Sequence, residues 1–387
     1  MVQYDNVNIL RAFDLLRFPL IVAVVFIHNY PEGEGLNIQS VFLSGGGLSL
    51  INVLNIISVS ISHVIAYIAV PTFFLISGYL FFFNANEKFN FKTYKGKLNR
   101  RIKSLLVPYL CWNLIALLVI LALKALGVLV KGNPVGGIVD FVSDGKLIRY
   151  FWNSAQWSFD RHNIFGIPCP MTAPIDVPLW YMRNLMVACL LSFAVYLLLK
   201  RSKYAIVLVL LLFVFNFDIP ISGFSIQAIA MFSLGAYLSI HGLALLEMIG
   251  RHRRLFLFIE SVMFCNLVAT DCSVSLLHHI NMSLFTILGA LLSIDLAIIS
   301  GRNVNDSKAA SLFCRSSFFV YALHTVLVLD LTRKGVGVLF GFNEEAKRLA
   351  LYFLSPFLCI ALCLLAYCFM EKYCGKALAI LTGGRAR

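Results

Sequence analysis

Uninterrupted apolar blocks of about 15–24 residues, separated by short polar stretches, constrain this chain more than any other feature. A soluble domain cannot bury so much consecutive apolar surface. A helix of some 20 residues, rising ~1.5 Å per residue, crosses a ~30 Å hydrocarbon core with its backbone groups paired internally. The fold expected is an all-α polytopic membrane protein. Composition agrees, since 60% of the 387 residues are hydrophobic and 13% charged, with a mean hydropathy of +0.84. The blocks show no fixed period, which excludes a solenoid, and the apolar content excludes disorder or collagen.

Ten segments fit a span: about 14–30, 63–83, 104–127, 179–199, 204–218, 225–241, 255–271, 280–300, 312–331 and 349–370. The fifth and sixth are short, and the tight turn at Asp218-Ile-Pro220 and Gly223 makes a re-entrant hairpin the alternative there. A net charge of +13 raises nucleic acid as a ligand, but the cations sit in connections between apolar blocks, as in membrane proteins. Of 32 Lys and Arg, 22 fall in alternate connections on one side and 8 on the other. Translocated short loops avoid Lys and Arg, so both termini are expected in the cytoplasm.

The whole chain, 1–387, then reads as one membrane-embedded domain with two long extracytoplasmic loops, 31–62 and 128–178. The first contains a semi-apolar stretch, 48–62, expected along the interface. The second carries Trp152, Trp157, Arg161 and His162 and reads as an ordered cap. No small-residue cleavage site follows the first block, so it is expected to stay as a helix, with no separate soluble domain at either end. The ten cysteines include no CxxC pair, so no metal site is expected and most read as packing residues; Cys169 and Cys272 alone fall in outside segments, where they have the option of a bridge.

Ionisable residues inside a bilayer cost at least ~2.5–3.5 kcal/mol on insertion scales, so each raises a functional question. They are Asp14, Arg17, His28, Lys124, Arg183, Glu260, Asp295, His324 and Asp330. Arg17 and His28 stand eleven residues apart, about 1100° of helix and ~20° from three full turns, so they share a face, with Asp14 positioned to pair with Arg17. Such a helix has a cationic clamp at its inner end and an imidazole toward its outer half. That suits a phosphate-bearing donor from inside and an acceptor hydroxyl from outside. The plainer reading is a helix whose Arg and His lie at the two interfaces, and the residues alone leave both open.

The run Asp14-Leu-Leu-Arg17, ten residues, then His28 resembles the D-x-x-R-x10-H signature of acyltransferase family three, integral-membrane enzymes that O-acylate bacterial envelope carbohydrates. Pro71-Thr-Phe-Phe-Leu-Ile-Ser-Gly78-Tyr-Leu is similar to that family's F-F-x-I-S-G-Y-L segment, and Arg100-Arg-Ile-Lys103 through Pro108-Tyr109 to its basic loop. Pro178-Leu-Trp180-Tyr181-Met-Arg183 resembles P-L-W-Y-L-R, and Tyr321-Ala-Leu-His324 resembles Y-x-L-H. Two places depart: Glu371-Lys-Tyr373 stands for E-R-P-F, and Lys103 stands where the loop's second Arg is usual.

The resemblance implies transfer of an acyl group, acetyl in the simplest case, from cytoplasmic acyl-coenzyme A (acetyl-CoA) to a hydroxyl of an extracytoplasmic or lipid-linked carbohydrate. The implied site is the bacterial inner membrane. His28 would be the base or carry the acyl group, and Arg17, Arg100, Arg101 and Lys103 would bind the donor. Trp180, Tyr181 and Arg183 would hold the acceptor by stacking or form an aromatic belt with a snorkelling cation. His324 would bind acceptor or bond structurally between helices. Acyl-CoA is a co-substrate, with no tightly bound cofactor and no metal; membrane lipid is the other partner. Two rivals are a glycan transporter, although no repeat relates the two halves, and an acyl-carrying module that feeds a partner enzyme.

Overall fold

The computed structural model describes residues 4–29, 50–83, 89–131, 134, 136–143, 146–157, 162–270, 275–301, 308–341 and 344–384. Helix α1 is Asn6–His28. α2 (Leu50–Ser58) passes through a π turn, Val59–Val64, and a 3-10 turn, Ile65–Ile68, into α3 (Ala69–Phe82). α4 (Phe91–Arg101) passes through a second π turn, Ile102–Leu106, into α5 (Val107–Lys131). The cap region follows, with α6 (Gly136–Val142), α7 (Lys146–Tyr150) and a hairpin of β1 (Ala155–Trp157) antiparallel to β2 (Met171–Ala173). Next come α8 (Trp180–Arg201), α9 (Ala205–Val214), α10 (Ile226–His241), α11 (Ala244–Arg251), α12 (Arg253–Ala269) and α13 (Leu276–Ser300). α14 (Lys308–Leu323) runs through a third π turn, His324–Val328, into α15 (Leu329–Leu339), and α16 (Glu344–Tyr373) and α17 (Gly375–Leu381) follow.

Among the described residues, six helical stretches are long and apolar enough to cross a membrane: Asn52–Phe82, Phe91–Val130, Val177–Arg201, Leu276–Ser300, Lys308–Leu339 and Ala346–Tyr373. The protein is therefore an all-α membrane protein, with fewer such helices than the ten segments expected. The difference has local causes. α9 has ten residues, and α10 and α11 pass the test only together, bent by 100°. α12 has 17 residues. α1 is long enough, at 23 residues, but carries Arg11, Asp14 and Arg17.

The stretch expected to lie along the interface behaves otherwise from residue 50 onward. It is helical and continuous with α3, and Val59 and Ser62 are fully buried. Ser62 Oγ donates to the Phe26 carbonyl at 2.9 Å and lies 2.9 Å from the Tyr352 hydroxyl. The Ser62 hydroxyl thus ties the stretch to a carbonyl of α1 and a hydroxyl of α16. Residues 31–49 lie outside the described residues.

Glycines bring two helices together. A Cβ at Gly78 on α3 would collide with the Phe232 carbonyl of α10, and one at Gly235 on α10 would collide with the Leu75 carbonyl of α3. Small residues that let backbones touch are the usual means of packing where lipid supplies no hydrophobic drive between helices. α1 packs against α3, α13, α14 and α16, so the helix with three charged residues runs inside the bundle.

At the Arg17 end, Asp295 of α13 is completely buried and resolves one ionisable residue the sequence left unpaired. Arg253 Nε donates to its Oδ2 at 2.5 Å and Nη2 to its Oδ1 at 3.0 Å, and the Tyr4 hydroxyl also donates to Oδ1. Burial, then the carboxylate beside it, pushes the Tyr4 phenol up to about 12. Lys124 lies over the Phe141 ring, and Asp330 is exposed. Cys169 is a free thiol 3.6 Å from the Asp218 carbonyl, and Cys272 lies outside the described residues.

Candidate active site

A cavity of about 150 Å³ opens beside Arg17 and runs along α1, α3, α8 and α14. Its walls include Ile21, Phe73, Ile76, Leu80, Leu185 and Phe318, and its mouth carries Arg17, Arg101 and Arg315. Arg17 Nη1 pairs with Asp14 Oδ1 at 3.1 Å, the i,i+3 contact that the sequence spacing predicts. Arg315 Nη1 pairs with Glu371 Oε1 at 2.5 Å, while its Nε is buried without a partner. Three partly exposed guanidinium groups thus share the lining with apolar walls. Such a volume takes a group about the size of benzene, a chain but not a nucleotide.

Tyr181 and Tyr321 stand at the other end of the slot. The Tyr181 hydroxyl lies 3.0 Å from Ser77 Oγ and donates to the Phe73 carbonyl at 3.2 Å; the Tyr321 hydroxyl donates to the Pro178 carbonyl. One turn further along α14 is His324, where the helix enters its π turn. π turns occur often at functional sites because the extra residue re-aims side chains.

His324 is fully buried, and its ring centroid lies 5.2 Å from that of His28, with 58° between the planes. His324 Nδ1 is 2.7 Å from the Tyr321 carbonyl oxygen, which can only accept, so Nδ1 carries the proton. The neutral ring therefore has a bare lone pair on Nε2, and that atom is buried with no partner. His28 is half-buried at the end of α1. The sequence places both histidines at similar depth; the structure puts them ring to ring.

The remaining sequence candidates separate. Of the basic-loop residues expected to bind donor, Arg101 lines the cavity, whereas Arg100 and Lys103 are exposed and outside its lining. The π turn at Ile102–Leu106 begins after Arg101, which turns Lys103 outward. Arg183 is buried and holds the cap: Nη1 donates to the Trp152 carbonyl at 2.5 Å, Nη2 to that of Thr172 at 2.8 Å, and Nε to Asn184 Oδ1 at 3.2 Å. Those three hydrogen bonds tie its guanidinium to the cap and to Asn184. Trp180 is half-buried beside Phe74, and Tyr181 faces the slot, so the expected sugar-holding trio does not converge.

Two residues were missed. Arg315 reads in the sequence as one more topological cation, although Cys314, Ser317, Phe318 and Tyr321 beside it carry the i, i+3, i+4, i+7 spacing of one helix face. Asp176, just before α8, is 2% exposed; its Oδ1 accepts from Thr325 Oγ1 at 3.1 Å and its backbone N–H donates to Asn113 Oδ1 at 3.2 Å. Burial raises its carboxyl well above the usual range, against a smaller opposing effect of the Thr325 bond.

An integral-membrane protein with an arginine-lined apolar cavity and, one turn beyond the cavity's Tyr321, a histidine pair has the parts of a group-transfer enzyme. Comparison gives the class: residues 10–368 match acyltransferase family three, described as an acyltransferase domain, and the chain belongs to that family. It is an acyltransferase. The chain is also 26% identical over 390 residues to the succinoglycan biosynthesis protein ExoH of Rhizobium meliloti (strain 1021), which covers 98% of this chain and 94% of that protein. No solved structure matches it.

Proposed function

We propose that this protein transfers an acyl group, acetyl in the simplest case, from acyl-coenzyme A to a hydroxyl of an envelope carbohydrate in the bacterial inner membrane. The observation that carries the reading is a cavity lined by Arg17, Arg101 and Arg315 together with apolar walls and Tyr321, which stands one turn before the ring-to-ring pair of His324 and His28. Coenzyme A has phosphates at one end and a slender thioester arm at the other. Arg17, Arg101 and Arg315 meet the phosphates with charge-assisted, fork-shaped donors, and the arm enters the slot. The succinoglycan relative supports a carbohydrate acceptor.

At the far end His28, the less buried imidazole, takes the proton of the acceptor hydroxyl as its oxygen attacks the thioester carbonyl. The C–O bond forms, the C–S bond breaks, and the departing thiolate is protonated to the free thiol, so no proton is gained or lost. His324 holds the His28 ring in place from a fixed tautomer. In this reading the Arg17 end and both termini face the cytoplasm, the orientation that the distribution of Lys and Arg supports.

The direct test is purified protein in lipid nanodiscs with labelled acetyl-CoA and envelope polysaccharide as acceptor. Labelled ester in the wild type and its loss in His28→Ala is the result expected. Absence of transfer with every short acyl-CoA tried refutes the donor assignment. In a cysteine-free background, Phe165→Cys should react with an impermeant thiol reagent in intact cells while Asn90→Cys and Ser202→Cys stay shielded. The reverse pattern refutes the orientation.

A further inference from the structure

Asp176 is a buried carboxyl with one oxygen in use and one without a partner. Oδ1 is bound by Thr325, the residue after His324, while Oδ2 is enclosed and unbonded. His324 Nε2, one residue along the same turn, is likewise enclosed and unbonded. Two unused polar atoms, both nine-tenths or more buried, therefore flank a single threonine. Buried polar atoms without partners are uncommon, and two at one turn require an explanation. Neither residue lines the donor slot, which ends at Tyr321, a turn earlier on the helix. The place is thus on the far side of Tyr321 from the arginines, where the acceptor arrives.

The Ile175 N–H donates to the Tyr150 carbonyl at 2.7 Å, and Tyr109 donates to the Phe151 carbonyl, so the segment bearing Asp176 and α5 are both tied to the start of the cap. A ligand that satisfies both a carboxyl oxygen and an imidazole lone pair presents more than one hydroxyl group. A carbohydrate does so and a lipid chain does not.

Resting on the acyltransferase reading above, we propose that Asp176 is an acceptor-binding residue. Thr325 anchors one carboxyl oxygen, and the other bonds a hydroxyl next to the one that is acylated. Seating the sugar parts the cap at Tyr150–Trp152, and its return excludes water from the thioester.

The test measures, in nanodiscs with acetyl-CoA, both transfer to a panel of neutral oligosaccharides and the slow hydrolysis of acetyl-CoA without acceptor. Asp176→Ala should raise the acceptor KM by about 10–100-fold while hydrolysis and donor affinity stay within about twofold of the wild type, the loss of one buried hydrogen bond to a polar ligand. Asp176→Asn, of the same shape and still able to bond Thr325, should recover most of the acceptor affinity. Thr325→Val should fall between the two. An unchanged acceptor KM in Asp176→Ala overturns the proposal, as does a parallel fall of transfer and hydrolysis, which marks a structural role. A wild type that transfers to no acceptor at all counts against the acyltransferase reading itself and is thereby distinguished.

Discussion

The histidine pair yields the sharpest prediction, because its geometry fixes how two substitutions must combine. Removing a general base costs ~10²–10⁴ in rate, or ~3–5.5 kcal/mol of transition-state stabilisation. His28→Ala should lose that much turnover and keep donor binding. The informative partner is His324→Asn. An asparagine amide can still donate to the Tyr321 carbonyl that now receives the His324 Nδ1 proton, so the turn is kept while the Nε2 lone pair is removed. With the rings 5.2 Å apart and His324 enclosed, His28 loses its neighbour in this variant, and turnover should fall about 10–100-fold. Groups that act as a unit are strongly non-additive, so the double variant should be no slower than His28→Ala alone. Independent histidines would instead multiply, adding another ~1.4–2.7 kcal/mol to the barrier. Single-turnover transfer from labelled acetyl-CoA measures all four proteins. A multiplicative double variant, or His324→Asn with more than half of the wild-type rate, refutes the pair.

At the mouth, Arg315→Gln should weaken binding of a nonhydrolysable acyl-CoA analogue by about 10–100-fold in calorimetry, as befits lost charge-assisted hydrogen bonds worth ~1.5–3 kcal/mol, and Arg315→Lys should restore only part. Gly78→Ala and Gly235→Ala should each lower thermal stability by at least ~1–3 kcal/mol through overpacking against backbone, whereas Gly96→Ala, with nothing within 4 Å of its new methyl, should be neutral by thermal unfolding in detergent. The Tyr4 phenol, raised from 10.0 to about 12, contributes stability that is complete below pH 10 and lost between pH 10 and 12; Tyr4→Phe should remove that loss from the alkaline unfolding profile.

The parts of the site that lie on one helix were legible in the sequence. Helical period puts Arg17, Asp14 and His28 on one face and the resemblance singles them out as site candidates; the structure keeps Arg17 beside Asp14 and on the cavity lining. What the sequence did not carry depends on contacts between distant segments or on local departures from the α period. The π turn at Ile102–Leu106 separates Lys103 from Arg101, and no pattern of apolar residues marks where an extra residue enters a turn. Arg183 stands beside two aromatic residues in sequence, which suggested a ligand site, yet its guanidinium reaches back to carbonyls of the cap at 152 and 172. Asp176 lies in a loop and became a candidate only because the cap folds onto the turn after His324.

The first helix also shows why hydropathy and function pull apart in this protein. It carries Arg17 and His28, the residues proposed for the chemistry, and it misses the apolarity that marks a spanning segment because Arg11, Asp14 and Arg17 fall within it. Those charges are tolerated because α3, α13, α14 and α16 surround the helix, so that Asp14 and Arg17 meet a polar mouth and each other instead of lipid. Ionisable groups within a membrane are expected to face a bundle interior or a water-filled opening. The lipid-facing work then falls to helices such as α5, α12 and α16, whose outer residues Leu118, Phe258 and Leu365 are exposed. An acyltransferase in a membrane therefore needs its outer helices to be more apolar than their own packing requires. Only inside that ring can a helix with three charged residues and a histidine remain in place.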